Sequence, residues 1–206
     1  MAYDFKKEYK EYYHPAKNPV IINIPEMKFL ALKGKGNPNA EDGDYQRSIK
    51  LLYGLSYTLK MSHKGGRNIR GFFEYVVPPL EGFWWQEEKA TKDGFQWISL
   101  IRLPDFITEE DVLWAKKAAN EKKKMNFSAV EFLTYNEGLC VQCMHVGPFD
   151  EEPETIERME KFADKEGFQI DISENRYHHE IYLSDSRKCV PKKRKTVIRQ
   201  PVTLRG

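Results

Sequence analysis

The chain is poor in cysteine, in long apolar runs and in net charge, and each shortage excludes a class of protein. Three cysteines among 206 residues, Cys140, Cys143 and Cys189, give an odd count with no disulfide framework. The Cys140-x-x-Cys143 spacing matches half a zinc knuckle, but the surrounding segment is strand-like. Three steps along a strand put the two sulfurs on opposite faces, and no second pair completes a tetrahedral site. They read as buried free thiols in a reducing cytosol, so a cytoplasmic location is expected. No run approaches the ~20 apolar residues of a membrane span, and residues 1–10 lack the apolar stretch of a signal peptide. A formal charge of +2 is too small to argue for nucleic-acid binding by bulk electrostatics. Gly34-x-Gly36 lacks the third glycine and the Lys-Ser/Thr pair of a phosphate loop, so the glycines are expected to make a sharp exit from a strand. Neither a cofactor nor a metal is expected, and adjacent His178 and His179 diverge across a strand.

Aromatic residues, by contrast, are plentiful: 12 Phe, 11 Tyr and 4 Trp make up 13% of the chain. Some are expected to line something besides the core. Residues 1–17 are charged and Tyr-rich without a period. So many rings rarely stay in water, so part of this arm is expected to fold back onto the body. Apolar strands are expected at 27–33, 71–77 (GFFEYVV), across the LEGFWWQ segment at 80–86, and at 95–103. A helix is expected from about Asp44 to Lys60, where Tyr45, Ile49, Leu52, Leu55 and Leu59 recur at helical steps. Thr108 with three following acids opens another, to about Lys122, by capping and first-turn charge. Residues 129–135 and 139–146 read as a hairpin across Asn136-Glu137-Gly138. A helix at 151–166 ends at Gly167. A strand follows at 177–183, in which His178, Glu180 and Tyr182 share one face while His179, Ile181 and Leu183 share the other. A last edge strand follows the basic run at 192–195.

The order repeats. Strand, Gly/Pro turn, helix and a strand holding Glu74 in the first half match strand, Gly-Pro turn, helix and a strand holding Glu180 in the second. This gives an α+β class: a pseudo-symmetric tandem repeat of strand–helix–strand–strand units, with antiparallel sheets backed by helices and a central ligand groove. The expected organisation is an N-terminal arm, residues 1–25, then one domain, 26–206. Its repeats, about 26–104 and 129–203, are joined by the helix at about 108–122.

These segments together resemble the GyrI-like small-molecule-binding family, akin to the effector-binding domains of multidrug-responsive transcription regulators. The resemblance rests on KGKGNPN at 33–39, PPLEGFWW at 78–85, EGLCVQCMHVGPFDEEPETIERM at 137–159, HHEIYLSDSRK at 178–188 and KTVIRQPV at 195–202. Ser186 departs from the proline that usually follows Ser-Asp, a change in a turn. The resemblance implies two halves clasping a hydrophobic, aromatic or cationic compound, with Glu180 at the family's central glutamate. Some stand-alone members of this type are implicated in hydrolysing the cyclopropane ring of DNA-alkylating natural products, and PPLEGFWW looks like those members. No DNA-binding helix-turn-helix is seen before the domain, so neither a transcription factor nor a nucleic-acid partner is expected.

Glu180 then has three readings: a solvated surface acid, an anchor for a ligand, or a general base whose pKa is raised by desolvation. For ring opening, Glu180 activates water and a tyrosine hydroxyl donates to the carbonyl oxygen. Tyr182, on the same face, is the first choice, with Tyr135 and Tyr57 as alternatives. Trp84, Trp85 and Trp97 are candidates to stack a flat substrate, against the plainer reading of core packing. Glu74 and His178 are candidate polar contacts, while His145 reads as a structural histidine. Two classes stay open: an enzyme hydrolysing a reactive hydrophobic electrophile, and a non-catalytic binder that sequesters planar compounds or modulates DNA gyrase.

Overall fold

Leu52, Leu55 and Leu59 recur at helical spacing, and all three lie fully buried on one helix, α3 (Asp44–Lys60), which turns its other faces to solvent. The protein is described by a computed structural model covering residues 2–86, 94–185 and 188–206. Its other elements are α1 (Phe5–Glu8), α2 (Lys10–Tyr13), β1 (Val20–Lys35), β2 (Leu80–Gln86), β3 (Phe95–Leu103), α4 (Glu109–Lys123), β4 (Glu131–Val146), α5 (Glu152–Lys165), β5 (Phe168–Ile170), β6 (His178–Tyr182) and β7 (Lys195–Leu204). The chain divides into two units: Met1–Glu8 with Met27–Tyr135, and Tyr9–Glu26 with Asn136–Gly206.

In the first unit β3 pairs antiparallel with β1, from Lys28↔Leu103 to Lys35↔Gln96, and with β2, from Leu80↔Ile101 to Gln86↔Phe95. Helices α3 and α4 bury Leu52, Leu55, Val112 and Ala115 with Leu30 and Ile101 of the strands. Thr108 caps α4 through a reciprocal pair of hydrogen bonds with Asp111, as its sequence anticipates. In the second unit β7 pairs antiparallel with β4, β5 and β6. Met159 and Ala163 of α5 pack on Val141, Cys143, Ile198 and Val202. Both units therefore run strand, helix, strand, strand, with the short β5 inserted in the second. The expected α+β class, antiparallel sheets backed by helices, holds.

Several local expectations are corrected. Residues 71–77 are not a strand; among the described residues they make one isolated bridge, Tyr3↔Tyr75. Pro78-Pro79 offer no N–H for a ladder. The segment is held instead by packed rings, such as Phe73 against Phe106 at 4.9 Å. Glu74 thus lies off any strand. The hairpin at 129–146 is also absent, because β4 runs straight through as one strand. Gly138 takes a positive φ of 68° within it, the geometry of a bulge rather than a reversal. Finally, residues 20–25 of the expected arm belong to β1, and Phe5 and Tyr13 are buried. Ser186 lies outside the described residues.

Gly34 is not a strand exit either. It sits inside β1 opposite Trp97, and a Cβ there would come within 2.0 Å of the indole. The missing side chain lets the ring lie across the neighbouring strand. Gly34→Ala is expected to lower stability by roughly 2 kcal/mol or more, the cost of overpacking a filled core, as read by urea denaturation.

Candidate functional site

Strand β6 alternates as its sequence demands: His179 and Ile181 are buried, while His178, Glu180 and Tyr182 are half-buried on the opposite face. The buried face is pinned by charge. His179 Nδ1 lies 2.9 Å from Glu137 Oε1, and Arg199 Nη1 lies 3.2 Å from Glu137 Oε2. Arg199 Nε also donates to Gln142 Oε1 at 2.8 Å and Nη2 to the Tyr12 carbonyl at 2.6 Å. Burial alone would raise the Glu137 pKa. The charges of His179 and Arg199 and their hydrogen bonds override it, pulling the carboxyl down to about 2.

This clamp fixes the strand whose other face carries Glu180, a carboxylate only 13% exposed. His178 Nε2 stands 3.2 Å from Glu180 Oε1. Glu152, the first residue of α5 and 7% exposed, also interacts with Glu180 through charge and a side-chain hydrogen bond. Burial raises the Glu152 pKa well above the usual carboxylate range, and the charge and hydrogen bond of Glu180 and the charge of Asp150 add to it. Raised to about 9, the Glu152 carboxyl keeps its proton at neutral pH. The other oxygen, Glu152 Oε1, is buried and has no hydrogen-bond partner among the described residues. A neighbouring polar pair sets the start of α5. His145 Nε2–H donates to the Pro148 carbonyl at 3.1 Å, leaving Nδ1 to accept from the Thr155 hydroxyl at 2.9 Å. His145 is thus a satisfied structural residue.

Of the residues singled out from the sequence, Glu180, His178 and Tyr182 come together on this face. Tyr182 meets Phe149 edge to face, with centroids 5.9 Å apart. The others belong to the first unit. Trp97 is 1% exposed in its core, and Trp84 and Trp97 each lie 5.2 Å from Tyr45. Trp85 faces Lys33 Nζ at 5.5 Å, and Tyr135 packs on Phe83 at 4.9 Å. Tyr57 is half exposed beside Tyr53. The Glu74 side chain is 57% exposed, 3.9 Å from His63. Glu152 was missed, because an acid at the start of a helix reads as a macrodipole partner. No group of three or more His, Cys, Asp or Glu among the described residues could hold a metal ion.

Residues 17–202 match the model of the GyrI-like small molecule binding domain. The chain belongs to the GyrI-like family. A crystal structure of a hydrolase from Listeria innocua is 47% identical, covers 98% of this chain and 100% of its own, and superposes with a TM-score of 0.91. A crystal structure of the EcmrR C-terminal domain shares the fold at 13% identity, with a TM-score of 0.56 over 91% of this chain and 98% of its own. A search of the curated proteins gives no match. No helix among the described residues is long and apolar enough to cross a membrane. The protein is a GyrI-like small-molecule-binding domain.

The two buried acids of the second unit pull stability in opposite directions with pH. The depressed Glu137 contributes about 3 kcal/mol above its unfolded pKa, lost as pH falls from roughly 4.5 toward 2. Glu137→Gln is expected to cost about 3–5 kcal/mol at pH 7, because Arg199 and His179 lose their carboxylate, with the gap to wild type narrowing in acid. The raised Glu152 does the reverse. Its protonated form is stabilised, a contribution complete below the unfolded carboxyl pKa and lost as pH rises through the elevated folded value. Glu152→Gln, an isostere of the protonated acid, is expected to remain folded and to remove that alkaline loss in thermal melts at pH 5 and 9.

Proposed function

We propose that this GyrI-like protein is a hydrolase for planar, hydrophobic electrophiles, opening the cyclopropane ring of DNA-alkylating natural products. The observation that carries the reading is the Glu152–Glu180 pair: a buried acid that keeps its proton against a largely buried carboxyl, with His178 Nε2 3.2 Å from Glu180 Oε1. Such a pair holds an acid and a base side by side at neutral pH, which a solvated surface glutamate does not. The 47% identity to a protein described as a hydrolase supports the same reading.

In this mechanism Glu180 is the base. It takes a proton from water as the water oxygen bonds to a cyclopropane carbon. The strained C–C bond breaks, and its electron pair runs into the conjugated carbonyl. The Tyr182 hydroxyl, on the same face as Glu180, protonates that oxygen as negative charge develops there. Glu180 then returns its proton to solvent and Tyr182 regains one, so the net change is addition of one water. Glu152 keeps its own proton and covers Glu180 on the side of α5. Trp84, Trp85, Trp97, Tyr57, Tyr135 and Glu74 are further candidates for ligand contact. The substrate is a free small molecule met in the cytoplasm, with no nucleic-acid or membrane partner and no cofactor.

Incubation with a cyclopropane-bearing genotoxin, followed by chromatography, tests the proposal. Wild type is expected to turn over many equivalents. Glu180→Gln should lose roughly 100-fold or more of the rate, the usual weight of a general base, with Glu152→Gln also impaired. Stoichiometric uptake that Glu180→Gln leaves unchanged overturns the hydrolase and favours a sequestering binder.

A further inference from the structure

The second unit presents an aromatic surface that sequence reasoning did not single out. Phe149 opens the one-turn 3-10 segment Phe149–Glu151 that leads directly into Glu152. Its ring is 39% exposed, large for a phenylalanine, yet it is held from two sides. Tyr182 meets it edge to face at 5.9 Å, and the Arg194 guanidinium lies over it at 5.4 Å from the centroid. The sheet brings all three to one end: Tyr182 pairs with Thr196, Val146 with Lys195, and the Gly147 N–H donates to the Arg194 carbonyl at 3.1 Å. Tyr182 in turn is two residues from Glu180 on the same face, a step of about 7 Å along a strand. An exposed ring and a guanidinium are thus fastened beside the two carboxyls.

We propose that Phe149 and Arg194 form a specificity subsite, where a planar ligand stacks and presents a carbonyl oxygen to the guanidinium, so that neutral planar ketones are taken in preference to planar cations. The proposal rests on the reading of Glu152 and Glu180 as the reactive centre and adds the ligand class. A guanidinium is a planar multiple donor that stacks on aromatic faces and has no acceptor, so it matches a carbonyl and repels a cation. Pre-fastened rings also cost little side-chain entropy when a ligand lands on them. The position at the turn into α5 fixes Phe149 relative to Glu152 by backbone rather than by a flexible side chain.

Binding of flavone, a neutral planar ketone, and of ethidium, a planar monocation, tests this without any need for turnover. Both are titrated against wild type, Phe149→Ala, Phe149→Leu and Arg194→Met, with circular dichroism confirming the fold. Wild type is expected to prefer flavone. Phe149→Ala should weaken flavone about fivefold to tenfold, the size of one lost stacking pair, with Phe149→Leu in between. Arg194→Met should shift the ethidium-to-flavone affinity ratio toward ethidium by about tenfold. In addition, Phe149→Trp should place an indole whose fluorescence is quenched by flavone. Flavone binding that none of these substitutions alters, or a preference for ethidium that Arg194→Met leaves in place, overturns the subsite while the hydrolase reading stands. If wild type turns over the cyclopropane substrate of the preceding test yet binds neither probe, the subsite again fails alone. Absence of both turnover and binding removes both.

Discussion

A buried carboxylate clamped between two cations is the constraint from which the site takes its shape. Glu137 reaches inward from β4 to Arg199 on β7 and His179 on β6, so one acid ties three strands of the second unit together. Burying three ionisable groups is costly unless each is paired and hydrogen-bonded, and Arg199 meets that condition with bonds to Glu137, Gln142 and the Tyr12 carbonyl. Because the side-chain period of a strand is two, fixing His179 inward fixes Glu180 outward. The direction of Glu180 therefore follows from a contact on the opposite side of the sheet.

What Glu180 meets there is a second acid in a dry place. Water would let both groups ionise and part. Here burial and mutual repulsion keep one protonated, with its Oε1 left without a hydrogen-bond partner among the described residues. An unsatisfied buried oxygen is a cost that the sheet and α5 must cover, and such costs gather where a ligand or a reaction is to be met. The family match over residues 17–202 and the 47% identity to a Listeria innocua hydrolase place the chain in the GyrI-like family, and the EcmrR C-terminal domain shares its fold.

Much of this was legible in the residues. The α3 leucines, the Thr108 cap and the β6 alternation follow from short-range periodicity, and short-range rules predicted them. The misreadings share one cause: a long-range partner outweighed a local signal. Asn136-Glu137-Gly138 looks like a reversal, yet the Glu137 ion cluster needs the chain to run on, and Gly138 absorbs the irregularity. Residues 71–77 have strand composition, yet followed by two prolines they find only Tyr3 as a bridge partner among the described residues. Gly34 reads as a breaker until Trp97 is seen lying over it. Glu152 was hidden because a helix N-terminus welcomes acids for a generic reason, and nothing local shows that Glu180 lies against it.

The clamp also bears on where this molecule ends. The family match begins at residue 17, but Arg199 Nη2 donates to the carbonyl of Tyr12, and Gln142 Nε2 to that of Glu11, at 2.6 Å each. Two main-chain oxygens lying ahead of the family boundary thus accept from two buried side chains of the second unit. The physical edge of the domain is drawn by which donors need acceptors, and it lies several residues upstream of the edge drawn by sequence similarity. A recombinant version trimmed to the family limits would strand an arginine donor in the protein interior.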